Sequence, residues 1–252
     1  MKLAIIAPIA HLGELSSMGD LLFALGHIKD SRYIEWYRNA AKSKYCIMDN
    51  GSYELGKSVG FDDVLRAAEQ IKPHEIVAPD IQWCPAESLE SARRFMRYLR
   101  VTGMRDEYKV MVVVWAYSPE DFQVWYRRYL RLKPDVIGIG KWLSTKHLAR
   151  HSTISLLKSN HIWNNSIEHH FLGCGFPGEA AVLWDEGRSM DTSGPIADAL
   201  NGLKYERGKV YRELHEQSLK RSLDFNVKLT PEQLEIAKEN CRVMLDYARG
   251  VI

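Results

Sequence analysis

No two of the four cysteines, Cys46, Cys84, Cys174 and Cys241, are spaced as a CxxC or CxC pair. Structural zinc sites of the ribbon type are built from such closely spaced ligands, so that class is excluded and reduced, mostly buried thiols are expected. His169 and His170 are adjacent, but neighbouring side chains on a strand point to opposite faces, so they make no metal pair. No metal is expected. Long apolar runs are also lacking, since none approaches the roughly 18 residues of a membrane span. The start, Met1-Lys2-Leu3-Ala4-Ile5-Ile6-Ala7-Pro8, has no signal-peptide cleavage pattern and reads as a first buried strand, which points to a cytoplasmic protein with no membrane partner. Charge of one sign is not in excess overall: the net charge is +2. Internal repeats, low-complexity tracts and linkers are missing as well.

What the chain does have is apolar material in regular portions. With 46% hydrophobic and 26% charged residues it can bury a sizeable core. Short apolar runs at 2–8, 21–28, 44–49, 75–80, 109–115, 136–140, 169–172 and 188–191 read as strands, several rich in Val and Ile as strands buried on both faces are. Helical patterns fall at 31–43, 61–71, 85–102, 118–132, 144–159 and 230–250. Pro85 and Pro119 suit first helical positions, Ser118 an N-cap, and Thr230-Pro231-Glu232-Gln233 a capping box. Eight strands alternating with helices in about 250 residues predict a single (β/α)8 barrel domain over 1–252, with 203–252 a helical C-terminal extension. An open doubly wound sheet is the alternative.

In a (β/α)8 barrel the active site forms at the C-terminal ends of the strands. Three aspartates are expected just beyond such ends: Asp49 in Met48-Asp49-Asn50-Gly51-Ser52-Tyr53-Glu54, Asp80 in Ala78-Pro79-Asp80, and Asp191 in Met190-Asp191-Thr192. Gly51, Gly138, Gly140, Gly173 and Gly175 accompany them, and glycine lets backbone approach a flat ligand closely. Tyr53 could stack on that ligand against Leu172. Asp80 suits the two N–H groups of a guanine-like edge. Asp191 is the candidate nucleophile, attacking a sugar C1′ to form a covalent glycosyl intermediate, with Asp49 handling protons on the leaving and arriving bases. Trp83, Trp115 and Trp142 are candidates for lining the mouth.

The residues from 93 to 150 contain thirteen Lys or Arg against five acids. Clustered basic charge attracts a polyanion even when the total is modest, so Arg127, Arg128, Lys141, Lys146 and Arg150 are candidate nucleic-acid contacts. A solvated helix face is the competing explanation.

From about residue 20 to 202 the chain resembles the tRNA-guanine transglycosylases and their viral DNA-acting relatives. The family's Asp-Ser-Gly-Gly-Phe/Tyr-Gln motif is similar to Asp49-Asn50-Gly51-Ser52-Tyr53-Glu54, and its base-reading aspartate to Asp80. Its Gly-Leu-Ala-Val-Gly segment is similar to Ile137-Gly138-Ile139-Gly140, its Met-Gly-Val-Gly segment to Leu172-Gly173-Cys174-Gly175, and its nucleophile motif to Met190-Asp191. The resemblance implies exchange of guanine in a nucleic acid for a free 7-deazaguanine base, the co-substrate. The family's zinc-binding Cys/His cluster is missing, Val114-Trp115-Ala116 stands where the tRNA enzymes place a glutamine, and Lys141 replaces the usual glutamate. These departures move the expectation from tRNA to DNA and to the compact viral (phage) enzymes that insert preQ0-like bases. The alternatives are the same chemistry on tRNA, a catalytically silent nucleic-acid-binding barrel, and a barrel lyase or isomerase whose phosphate cup is Gly173-Cys174-Gly175.

Overall fold

A computed structural model describes residues 1–141, 149–209 and 223–252. The fold is a (β/α)8 TIM-type barrel. Its eight strands are β1 (Lys2–Ile5), β2 (Leu22–Leu25), β3 (Cys46–Asp49), β4 (Glu75–Val77), β5 (Lys109–Val114), β6 (Val136–Gly140), β7 (Glu168–Leu172) and β8 (Ser189–Thr192). They follow one another in the sheet as β1-β8-β7-β6-β5-β4-β3-β2, and a parallel bridge joins Ala4 to Leu21. Nine α-helices lie among the described residues: α1 (Ser31–Ala40), α2 (Ser52–Leu55), α3 (Phe61–Ile71), α4 (Pro85–Val101), α5 (Pro119–Leu130), α6 (Ala149–Ser159), α7 (Pro177–Leu183), α8 (Gly194–Leu200) and α9 (Pro231–Ala248).

All eight expected strands are present, four of them (β1, β2, β4 and β5) shorter at the C-terminal side than the apolar runs suggest. β1 stops before Pro8, where the chain turns into a 3-10 segment at Ile9–His11. β4 stops at Val77, ahead of Pro79, which has no N–H for a ladder. Asp80 therefore lies on a loop three residues past its strand. Asp49 and Asp191, expected just beyond strands, instead lie within β3 and β8. The helical start expected at 144 lies outside the described residues. Three short helices, α2, α7 and α8, have too few residues for an apolar period to register.

The chain forms two compact units. One comprises Met1–Phe23 with Phe171–Ile252. In it β1 pairs with β8 in the register Leu3 to Met190 and Ala4 to Asp191. Helix α9 packs on α7, α8 and β1. It starts in the expected capping box, where the Thr230 hydroxyl accepts from the Gln233 N–H and the Gln233 side chain from the Thr230 N–H. It buries Ala237, Cys241, Met244 and Ala248. Asn240, fully buried in the same helix, donates to the carbonyls of Pro195 and Leu203, which ties α9 to the segment around α8.

The other unit, Ala24–His170, holds β3 to β6 in consecutive parallel pairs. Val110, Met111, Val112, Val114, Val136, Ile137 and Ile139 are wholly buried, as expected of strands covered on both faces. Each such aliphatic side chain stabilises by roughly 1.5–3 kcal/mol on leaving water. Ser118 caps α5 by accepting from the Asp121 N–H, with Pro119 at its first position. Helix α5 follows β5 and returns the chain to the start of β6, so its last turn lies at the N-terminal ends of these parallel strands.

Candidate active site

Within Ala24–His170, the ends of β3, β4 and β5 build a connected polar cluster. Asp49 closes β3, and its Oδ2 accepts the Gly51 N–H at 2.7 Å. Gly51 adopts φ +82°, and a Cβ there would stand 2.6 Å from His27 Nδ1, so only glycine lets the chain turn under the histidine ring. His27 Nδ1 is buried without a hydrogen-bond partner. Burial, then the nearby Lys29 charge, lowers the pKa of the His27 imidazole.

Asp80 is 8% exposed and held from two sides. Its Oδ1 accepts from Asn50 Nδ2 at 2.9 Å and its Oδ2 from the Trp115 indole N–H at 2.5 Å. Asn50 also donates to the Ala78 carbonyl and accepts the Ser52 N–H. Asn50, which the sequence offers as a base contact, has both of its amide roles engaged with protein groups here and orients the Asp80 carboxylate. Ser52 donates to the Asp80 carbonyl, and Gln82 reaches back to the Ser52 carbonyl. Two N–H bonds fix the Asp80 carboxylate, and the remaining lone pairs can accept further N–H groups. Trp115, one of the expected mouth residues, is the donor that spacing alone could not assign.

Around this cluster stand exposed aromatic side chains. Tyr53, on α2, is 72% exposed, Trp83 52% and Tyr117 70%. Trp83 packs against Trp115 at 5.4 Å between ring centroids. Gly138 and Gly140 are buried within β6, where Gly138 faces Val113 across the ladder. Lys141 follows β6 and is half-buried. Lys146 and Trp142 lie outside the described residues.

Within Met1–Phe23 and Phe171–Ile252, Asp191 is 4% exposed. Its Oδ1 accepts the Gly173 N–H at 3.1 Å and its carbonyl the Cys174 N–H at 2.7 Å. Gly173 takes φ +68°, a turn that aims its N–H at the carboxylate. The Gly175 N–H goes to the buried Glu179 carboxylate at 2.9 Å. All three N–H groups of Gly173-Cys174-Gly175 are therefore engaged with oxygen atoms of the protein, two of them carboxylate oxygens. A phosphate would have to displace both carboxylates, so this turn does not offer the phosphate cup that the lyase or isomerase alternative needs. Thr192 completes the arrangement: its hydroxyl donates to the Cys174 carbonyl and accepts the Gly194 N–H. Leu172, half-buried, ends β7. Glu179 was not foreseen, because its helix α7 is only seven residues long.

The proposed nucleic-acid contacts need one correction. Arg150 is 1% exposed and donates to the Ile139 carbonyl at 3.0 Å, so it is a buried structural group and not a phosphate contact. A guanidinium on a patterned helix looks the same in sequence whether it points out or in. Arg127 and Arg128 are exposed, but they sit in the last turn of α5, at the N-terminal ends of the strands, with Arg128 stacked over Trp125. A shallow pocket of about 410 Å3 between Lys109, Lys133, Asp135 and Glu168 opens at that same end. His11, near the end of β1, is saturated by Glu14 and the Leu229 N–H, a structural histidine.

Among the described residues no helix is long and apolar enough to cross a membrane, and no group of three or more His, Cys, Asp or Glu is placed to hold a metal ion. The chain matches no family model and no curated protein.

Proposed function

We propose that this barrel is a guanine transglycosylase acting on DNA, exchanging a guanine in the strand for a free 7-deazaguanine such as preQ0. The observation that carries the reading is the buried Asp191 carboxylate at the C-terminal end of β8, with Oδ1 fixed by the Gly173 N–H. A fixed, desolvated carboxylate at a barrel strand end suits covalent attack on an anomeric carbon.

In the proposed first step an Asp191 oxygen bonds to C1′ of the deoxyribose as the C1′–N9 bond breaks. The departing guanine takes a proton, for which Asp49 is the donor. In the second step the incoming base gives its N9 proton to Asp49, bonds to C1′ and displaces the Asp191 carboxylate, which restores the enzyme. Asp80, oriented by Asn50 and Trp115, accepts from the N–H groups of the base, and Tyr53 stacks on its ring. The target nucleotide must leave the duplex or be single-stranded to be reached.

The test mixes the protein with guanine-containing DNA and labelled guanine or preQ0. Label enters DNA with the wild type, a covalent adduct appears on denaturing gels, and Asp191→Ala loses both. No incorporation, or equal incorporation by Asp191→Ala, sinks the reading. Incorporation into tRNA but not DNA keeps the chemistry and changes the substrate.

A further inference from the structure

Trp83 presents a large aromatic side chain to solvent from an unfavourable backbone. Its φ is +59°, a left-handed conformation that side chains with a Cβ rarely adopt. The Tyr117 hydroxyl donates to the Trp83 carbonyl at 2.9 Å, and Trp115 supports one side of the indole. Trp83 remains 52% exposed and Tyr117 70%, so folding neither buries these rings nor relaxes the turn. Lys72, Lys133 and His161 also take positive φ, but Trp83 alone of these four holds a large aromatic ring in solvent there.

We propose that Trp83 and Tyr117 form a stacking platform for an unpaired base adjacent to the target nucleotide, outside the position assigned to the exchanged guanine. The proposal rests on the nucleic-acid reading above and adds a subsite to it. The two rings follow β4 and β5, adjacent strands in the sheet. The loops after the neighbouring β2 and β3 carry the exposed Lys29 and Lys57. Aromatic faces flanked by cations are the chemistry of single-strand binding, where bases stack in sequence-tolerant fashion and phosphates follow basic side chains. A sugar would also stack on an indole, but it has no use for the positive charge.

The experiment titrates the full chain with short oligo-dT, which contains no guanine, and reads strand binding together with tryptophan fluorescence. Wild type binds with quenching. Trp83→Ala and Tyr117→Ala each weaken binding about tenfold, and Trp83→Phe keeps most of it. Trp83→Gly guards against misfolding, because glycine accepts the positive φ: it melts no lower than Trp83→Ala and binds as poorly. Equal affinity of wild type and Trp83→Ala for oligo-dT overturns the platform, as does quenching by an oligosaccharide without strand binding. Guanine exchange is measured in parallel. Exchange by a protein whose strand binding ignores Trp83 removes the platform and leaves the transglycosylase. Trp83-dependent oligo-dT binding without exchange does the reverse.

Discussion

The two ends of the strands in Ala24–His170 are built from opposite materials. At the N-terminal ends, several polar and charged side chains are paired with one another. Arg105 pairs with Asp135 at 2.8 Å, Lys109 with Glu168 at 3.0 Å, and the fully buried Glu75 accepts from the Tyr45 hydroxyl at 2.8 Å. His74 stacks on Tyr45 and accepts the Cys46 N–H. At the C-terminal ends, Asp80 is braced by neutral N–H donors and the aromatic faces of Trp83 and Tyr117 are left in water. Matched charge and closed hydrogen bonds secure the fold, whereas an oriented acceptor and open rings are of use to something that arrives. The difference separates residues whose loss unfolds the chain from residues whose loss silences it.

The largest expected effect breaks the C-terminal end. Asp80→Asn keeps the side-chain shape but exchanges one carboxylate oxygen for an amide donor, which under the proposed function takes an acceptor from the N–H groups of the base. Guanine exchange falls about 100-fold or more, in the range seen when one preorganised polar group is removed, with the melting temperature shifting by only a few degrees. The matching change at the other end is Glu75→Ala. It removes a fully buried side chain and leaves the half-buried Tyr45 hydroxyl without its acceptor, which costs about 2–3 kcal/mol, roughly 5–10 °C in a chain of this size. Exchange per folded molecule stays at the wild-type level. A Glu75→Ala protein with normal melting and lost exchange would reverse the comparison.

How much of this was legible in the sequence follows from the range of the interactions. The eight strands were readable because buried parallel strands are nearly continuous apolar runs, and the caps of α5 and α9 because Ser118-Pro119 and Thr230-Pro231-Glu232-Gln233 act within one turn. Strand ends were overestimated where apolar residues continue past the last ladder bond, as at Ile6-Ala7 and Ala78-Pro79. The partners of Asp80 were not readable: Asn50 and Trp115 lie 30 and 35 positions away and meet it only after three strands align. Arg150 was misassigned for the same reason, since the Ile139 carbonyl that receives it belongs to another element. The exposed Trp83 carries no local signal for its positive φ, which Asn or Gly would have given.

A smaller effect sharpens the picture of the N-terminal ends, at the start of β7. His169 is buried, bonded to the Tyr126 hydroxyl at 2.8 Å and stacked on Trp163 at 3.8 Å. Burial lowers its pKa from 6.5 to about 3. The unfolded chain therefore takes up a proton near pH 6.5 that the folded chain refuses until about 3, so this contribution to stability is complete above 6.5 and declines as pH falls towards 3. At pH 5.5 the loss is about 1.4 kcal/mol. Urea unfolding of wild type and His169→Phe at pH 7.5 and 5.5 checks it: the phenyl ring still stacks on Trp163, and the stability lost on acidification shrinks by about that amount. An unchanged loss would place the acid sensitivity elsewhere.

The smallest effect asks which end carries the electrostatic contact with a strand. Each phosphate neutralised on single-stranded DNA contributes about 0.7 to the slope of log affinity against log salt. Lys57 stands beyond β3 on the C-terminal side, and its replacement by alanine lowers that slope by about one such unit. Arg127 and Arg128 are also exposed and also carry one positive charge each, but they close α5 at the opposite end, and Arg128 lies 4.5 Å over the Trp125 ring. Arg127→Ala and Arg128→Ala leave the slope as it is. Because all three substitutions remove one surface cation, bulk charge predicts the same change in each, and only position distinguishes them. A slope that responds to the arginines and not to Lys57 moves the strand to the N-terminal end and breaks the comparison.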